Sequence, residues 1–175
     1  RSAFIDESMS IKDVVLQAAA VEANYPGGLM STFLGNLDVS RFLTAAHEYN
    51  GDVCPDGNIR QAGAPEDGLA FDRLRLAWAL LFTQPGMPLV YYGDEIGLPG
   101  YGDPDNRQPL WWHGADLTNH DAQSLQEELP SGPARVLETV RRLSLARGDH
   151  PALRGGTQTE WWDGGPGLYA TAHVR

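Results

Sequence analysis

Cysteine is nearly absent. Cys54 stands alone among 175 residues, so no intrachain disulfide can form, and the redox compartment stays open. Long apolar runs are missing too: none approaches the roughly 18 residues of a transmembrane helix. Cations are scarce. Against 23 Asp and Glu there are 13 Lys and Arg, and the net charge of −10 argues against nucleic acid or an anionic membrane as partner. A neutral ligand is compatible with that charge. The histidines, His47, His113, His120, His150 and His173, show no metal-ligand spacing such as HExxH. There is no initiator Met or signal-peptide pattern at Arg1, and Arg175 falls within a strand-like run, so both ends read as cut and localisation stays open. No internal repeat or low-complexity tract is present.

What is there reads as a globular protein: 42% hydrophobic and 21% charged residues, in a length that suits one domain with a sizeable core. Ile11, Val14, Val15, Ala18 and Ala19 recur at helical spacing between Ser10 and Asn24, with Ser10 as N-cap and Asp13 three residues on. Pro26-Gly27-Gly28 ends that helix. Leu69 to Gln84 is a second helix, with Leu74, Ala77, Trp78 and Leu81 on one stripe; its wholly apolar second half, Leu76 to Phe82, predicts packing on both sides. A third runs from Pro133 to Arg147 with Gly148 beyond, built on Val136, Leu137, Val140, Leu143 and Leu145. Thr157 to Trp161 and Gly167 to His173, separated by a turn-rich segment, read as a β-hairpin.

Two stretches carry the chemistry. Pro85 to Arg107 reads PGMPLVYYGDEIGLPGYGDPDNR: a turn, a short β-rich run from Pro88 to Tyr92, then a loop heavy in Gly, Pro and Asp. Leu29 to Phe42 reads LMSTFLGNLDVSRF, an apolar strand from Met30 to Leu34 that runs into Gly35-Asn36-Leu37-Asp38 and Arg41. A helix-length segment separates the two. Parallel strands joined by a helix form a βαβ unit whose polar ends share one side, the layout of an α/β barrel's active face. Taken alone, either run also fits any buried α/β strand followed by a surface loop. Between them, a long loop from about Ala46 to Gly68 is rich in turn signals and suits a loop that shapes substrate access.

Together these stretches resemble the end of the catalytic barrel in the α-amylase family of glycoside hydrolases, from about Phe4 to Tyr169. That family closes its seventh barrel strand with Asn-His-Asp and its eighth with a Tyr-Tyr-Gly-Asp-Glu-Ile-Gly type sequence. Many members, maltogenic and cyclodextrin-forming enzymes among them, share the Asp-Pro-Asp-Asn-Arg loop. The resemblance implies an α/β fold: residues 1–154 as the C-terminal part of a TIM (β/α)8 barrel, about its last two strands and flanking helices, and residues 155–175 as the first hairpin of an all-β domain. It implies a retaining α-glucan-active hydrolase or transglycosidase, with an α-glucan or maltooligosaccharide as substrate. The missing N-terminal part of the barrel is then a necessary partner, since the carboxylate nucleophile and the acid/base would lie upstream of Arg1. This chain alone would not cleave glycosides. The alternative is a non-catalytic relative that binds sugar or a protein partner. No cofactor is implied; calcium occurs in complete family members, but Asp52, Asp56 and Asn58 do not match a calcium loop.

Residue by residue, Asp38 matches the third carboxylate of the family, which binds ring hydroxyls and stabilises the transition state; the plain alternative is a helix N-cap. Asn36, Leu37 and Arg41 surround it as substrate-binding candidates. Leu37 stands where the family has His and cannot donate a hydrogen bond, which would lower activity roughly tenfold to a hundredfold. Asp103 and Arg107 match loop residues that grip a further glucose unit, a carboxylate accepting and a guanidinium donating. An internal Asp–Arg ion pair is the alternative, and the two can coexist. Asp105 and Asn106 read as turn-formers. Glu95 reads as structural, the alternative being a buried acid with a raised pKa. Tyr91 and Tyr92 read as core rather than sugar platforms, and Trp111 and Trp112 as packing or as sugar platforms.

Overall fold

The computed structural model describes residues 4–5, 8–25, 30–48, 68–110, 129–163 and 169–174. Helix α1 (Ile11–Ala23) begins with the expected reciprocal cap: Asp13 N–H donates to Ser10 Oγ at 3.1 Å, and Ser10 N–H donates to Asp13 Oδ2 at 3.1 Å. Those bonds hold the Asp13 carboxyl below its ordinary range, the Ser10 side chain contributing most. Strand β1 (Ser31–Phe33) follows, then helix α2 (Phe42–Glu48), helix α3 (Gly68–Thr83) and strand β2 (Met87–Leu89). The strands pair in parallel with Thr32 opposite Pro88, so β1, the helices and β2 make the expected βαβ unit.

Both strands are shorter than their apolar runs. Tyr91 and Tyr92 lie past the end of β2, and Tyr92 is exposed rather than part of a core. Helix α2 was not separable in the sequence from the turn-rich segment that follows it.

Helix α4 (Ser131–Asp149) extends the periodic run at both ends and takes Gly148 inside it. It packs against α3, and Phe42, Leu43, Phe71, Leu74, Trp78 and Val136 form the centre of the core. Within the apolar second half of α3, Ala77, Trp78, Leu81 and Phe82 are buried and the helix packs against both α2 and α4, while Leu76 is left 59% exposed. Arg147 near the end of α4 does more than complement its own helix dipole. It is buried and donates to the carbonyls of Phe82 at 2.7 Å and Gln84 at 3.0 Å and to that of Gly86, satisfying acceptors left open where α3 ends. A short helix α5 (Pro151–Gly155) leads into strands β3 (Thr157–Asp163) and β4 (Tyr169–Val174), which pair antiparallel with a register shift near Glu160 and Trp162. The hairpin therefore forms. No described helix is long and apolar enough to cross a membrane.

Candidate functional site

The polar ends of β1 and β2 lie on one side, because the strands are parallel, and the two following loops are bolted together. After β2 the backbone turns at Gly93, whose φ of 88° favours glycine, into a 3-10 turn over Asp94–Ile96. Asp94 is buried; its main-chain carbonyl accepts from Trp78 Nε1 at 3.3 Å. A second 3-10 turn, Asp105–Arg107, carries Asp105 and Asn106 buried and Arg107 outward.

Arg41 links these parts from just before α2. Its N–H donates to the Gly100 carbonyl at 2.8 Å, and Gly100 N–H donates to Thr44 Oγ1 at 2.8 Å. Gly100 is required there: a β-carbon would lie 2.8 Å from the Asn106 Cα. The Arg41 guanidinium donates to Asp94 Oδ1 at 3.0 Å, to the Asn106 carbonyl at 3.0 Å and to the Tyr92 carbonyl. It also sits 4.2 Å from the centre of the Tyr91 ring and 4.8 Å from that of Tyr92. At 1% exposure it has no surface to offer a sugar. The geometry accounts for Arg41 as a buried strut, its guanidinium donating to a buried carboxylate and two carbonyls, with Nη2 left without a partner among the described residues.

Asp38 is exposed in the turn after β1, and its N–H donates to Asn36 Oδ1 at 2.8 Å. Helix α2 starts four residues later at Phe42, so Asp38 is not its N-cap. Leu37 beside it is 47% exposed. Asn36 is half-buried, and its side-chain oxygen serves the Asp38 turn. Asp103 and Arg107 form an ion pair at 3.0 Å with both side chains exposed, so the loop-internal pair exists and remains open to solvent.

Asp105 and Asn106 do more than shape a turn. Asp105 accepts from Tyr101 N–H at 2.8 Å and from the Gln108 side chain. Asn106 reaches across to the loop after β1, donating to the carbonyls of Leu37 and Val39 at 2.9 Å each. This cross-loop contact had no sequence signal beyond the Asp-Asn-Arg run, because its partners lie far away along the chain. Glu95 is largely buried, and burial pushes its carboxyl above the ordinary range; its own N–H and that of Gly93 act in the opposite direction. Burial and the neighbouring Tyr92 raise the Tyr91 phenol as well.

Among the described residues no cluster of three or more His, Cys, Asp or Glu could hold a metal ion. Asp52, Cys54, Asp56, Asn58, Trp111, Trp112, His113 and His120 lie outside the described residues.

No family model matches the chain. Over 148 residues, 79% of its length, it is 34% identical to an α-amylase of Streptomyces lividans, of which it spans 15%. It is 33% identical over 139 residues, 72% of its length, to the amino acid transporter heavy chain SLC3A2 of Mus musculus, of which it spans 25%. The solved cyclic α-maltosyl-(1→6)-maltose hydrolase of Arthrobacter globiformis superposes with a TM-score of 0.59 at 30% identity, covering 91% of this chain and 29% of that one. Each of these proteins is several times longer than the stretch it shares. With most of the chain matched in both sequence and fold, and two strand-end loops interlocked as described, the chain belongs to the α-amylase family of glycoside hydrolases.

Proposed function

We propose that this chain supplies the closing part of the catalytic barrel of a retaining α-glucan-active hydrolase or transglycosidase. In this reading β1 and β2 are the last two strands of a (β/α)8 barrel, and the hairpin β3–β4 opens an all-β domain. One observation carries the reading. The loop after β1 and the loop after β2 are hydrogen-bonded through Asn106, and each presents exposed carboxylate or guanidinium groups beside that junction. Asp38 stabilises the oxocarbenium-like transition state through the ring hydroxyls. Asn36 sets the turn that carries it, and Leu37 lines the same turn. Asp103 and Arg107 accept from and donate to a neighbouring glucose unit, exchanging part of their mutual contact for sugar hydroxyls. Attack and proton transfer need two further carboxyl groups about 5–5.5 Å apart. These would come from barrel strands beyond the described residues.

A non-catalytic role in sugar binding or protein interaction is the second reading. Leu37 favours it, because a leucine removes a donor from the centre of the site. Binding at the loop is tested by titrating maltooligosaccharide into the chain and into its Arg107→Ala variant. An exposed ion pair contributes at most about 1 kcal/mol to stability, so the variant should fold. Binding that disappears in Arg107→Ala supports the subsite; equal binding in both proteins removes it. Glucan hydrolysis by a chain carrying the complete barrel, lost in Asp38→Asn, separates the enzymatic reading from the second one.

A further inference from the structure

Asn106 is fully buried, yet it sits one residue before the exposed Arg107. Its amide gives one proton to the Leu37 carbonyl and one to the Val39 carbonyl, each at 2.9 Å. These carbonyls bracket Asp38. Because a carbonyl only accepts, the amide nitrogen must face them, which fixes the orientation of the side chain. Asp38 N–H is already committed to Asn36 Oδ1. The main chain from Leu37 to Val39 is thus held on both sides of Asp38, leaving only the aspartate side chain to turn.

Asn106 is itself held. Its carbonyl accepts from Arg41 Nε at 3.0 Å, and its Cα packs against Gly100. Its own turn does not need the amide: Arg107 N–H to the Pro104 carbonyl and Gln108 N–H to the Asp105 carbonyl already close it. The remaining oxygen, Asn106 Oδ1, is buried without a partner among the described residues. A buried, unpartnered acceptor is unfavourable, so the two donated bonds are what the amide contributes at this position.

We propose that Asn106 is the positioning residue for Asp38, holding that carboxylate at the sugar without touching the sugar and tying it to the Asp103–Arg107 loop. This rests on the functional reading above. The test uses a chain with the complete barrel, carrying Asn106→Asp, Asp38→Asn and both together. Asp is isosteric but cannot donate when ionised. Asn106→Asp should lower kcat about 10- to 100-fold, the scale of a misplaced catalytic group. KM should change less than about threefold, because no sugar contact is removed. In the Asp38→Asn background the same substitution should cause no further loss, since a residue that acts only through Asp38 has nothing left to position. Equal losses in both backgrounds, or a raised KM at unchanged kcat, would overturn the positioning role. Wild-type kcat in Asp38→Asn would overturn the functional reading itself, a separate result. Should Asn106→Asp not fold, Asn106→Ala and Asn106→Ser give the same comparison without a buried charge.

Discussion

Replacing Arg41 by methionine tests how the site is held together. Methionine keeps an unbranched apolar stem but removes every donor. Asp94, 2% exposed, loses the guanidinium at 3.0 Å, and the carbonyls of Asn106 and Tyr92 lose a charged donor. Removing one member of a buried ion pair costs about 3–5 kcal/mol. Carbonyls left without a donor add roughly 1 kcal/mol. A loss of about 4–6 kcal/mol is a large part of the roughly 5–15 kcal/mol that holds a domain folded. With a urea slope near 2 kcal/mol/M, the unfolding midpoint should fall by about 2–3 M. The double variant Arg41→Met/Asp94→Leu should regain a good part of that loss, because apolar replacement of both partners removes the stranded charge. The opposite pattern would refute the reasoning: a midpoint that barely moves, a double variant no better than the single, and maltooligosaccharide affinity that drops in Arg41→Met. Arg41 would then be a sugar ligand and not a buried strut.

Glu95 yields a pH prediction. Burial raises its folded-state pKa above the ordinary 4.5, so the protonated group favours folding at low pH and that stability is lost as pH rises through the raised value. Glu95→Gln, neutral throughout, should match the wild type below about pH 4 and exceed it at pH 7 in urea titrations; a gap that does not change with pH would contradict the burial effect. Leu37→His, at a position 47% exposed beside Asp38, should raise kcat/KM on maltooligosaccharides by about tenfold in a chain with the complete barrel. If the rate does not rise, the loss of a donor at this position is not what distinguishes this protein from its relatives.

Local signals were legible because local physics sets them. The Ser10–Asp13 cap is a three-residue spacing, and both of its backbone bonds form. The stripe on α3 is a 3.6-residue period, and Leu74, Ala77, Trp78 and Leu81 are all buried. The parallel pairing of two short apolar runs followed from the helix-length segment between them. Helix ends were less legible. Gly148 reads as a stop, but packing and hydrogen bonds carry α4 through it to Asp149.

By itself, then, the sequence determined the three long helices and the four strands in order, though not the short helices α2 and α5. It also determined the side on which the polar ends of β1 and β2 emerge and the residue types offered there. Tertiary structure decided which of those groups remain available. Arg41 and Arg107 look alike in a sequence, each a cation in a polar loop after an apolar run. One is buried against Asp94 and the other is exposed beside Asp103, and the difference comes from partners more than 50 residues away in one case and four in the other. The same holds for Asn106, whose amide bonds to carbonyls 67 and 69 residues back along the chain, and for Arg147, which caps a helix other than its own. Main-chain carbonyls are present at every residue, so no residue type marks the ones a distant donor will choose. Only the packing of the two loops selects them.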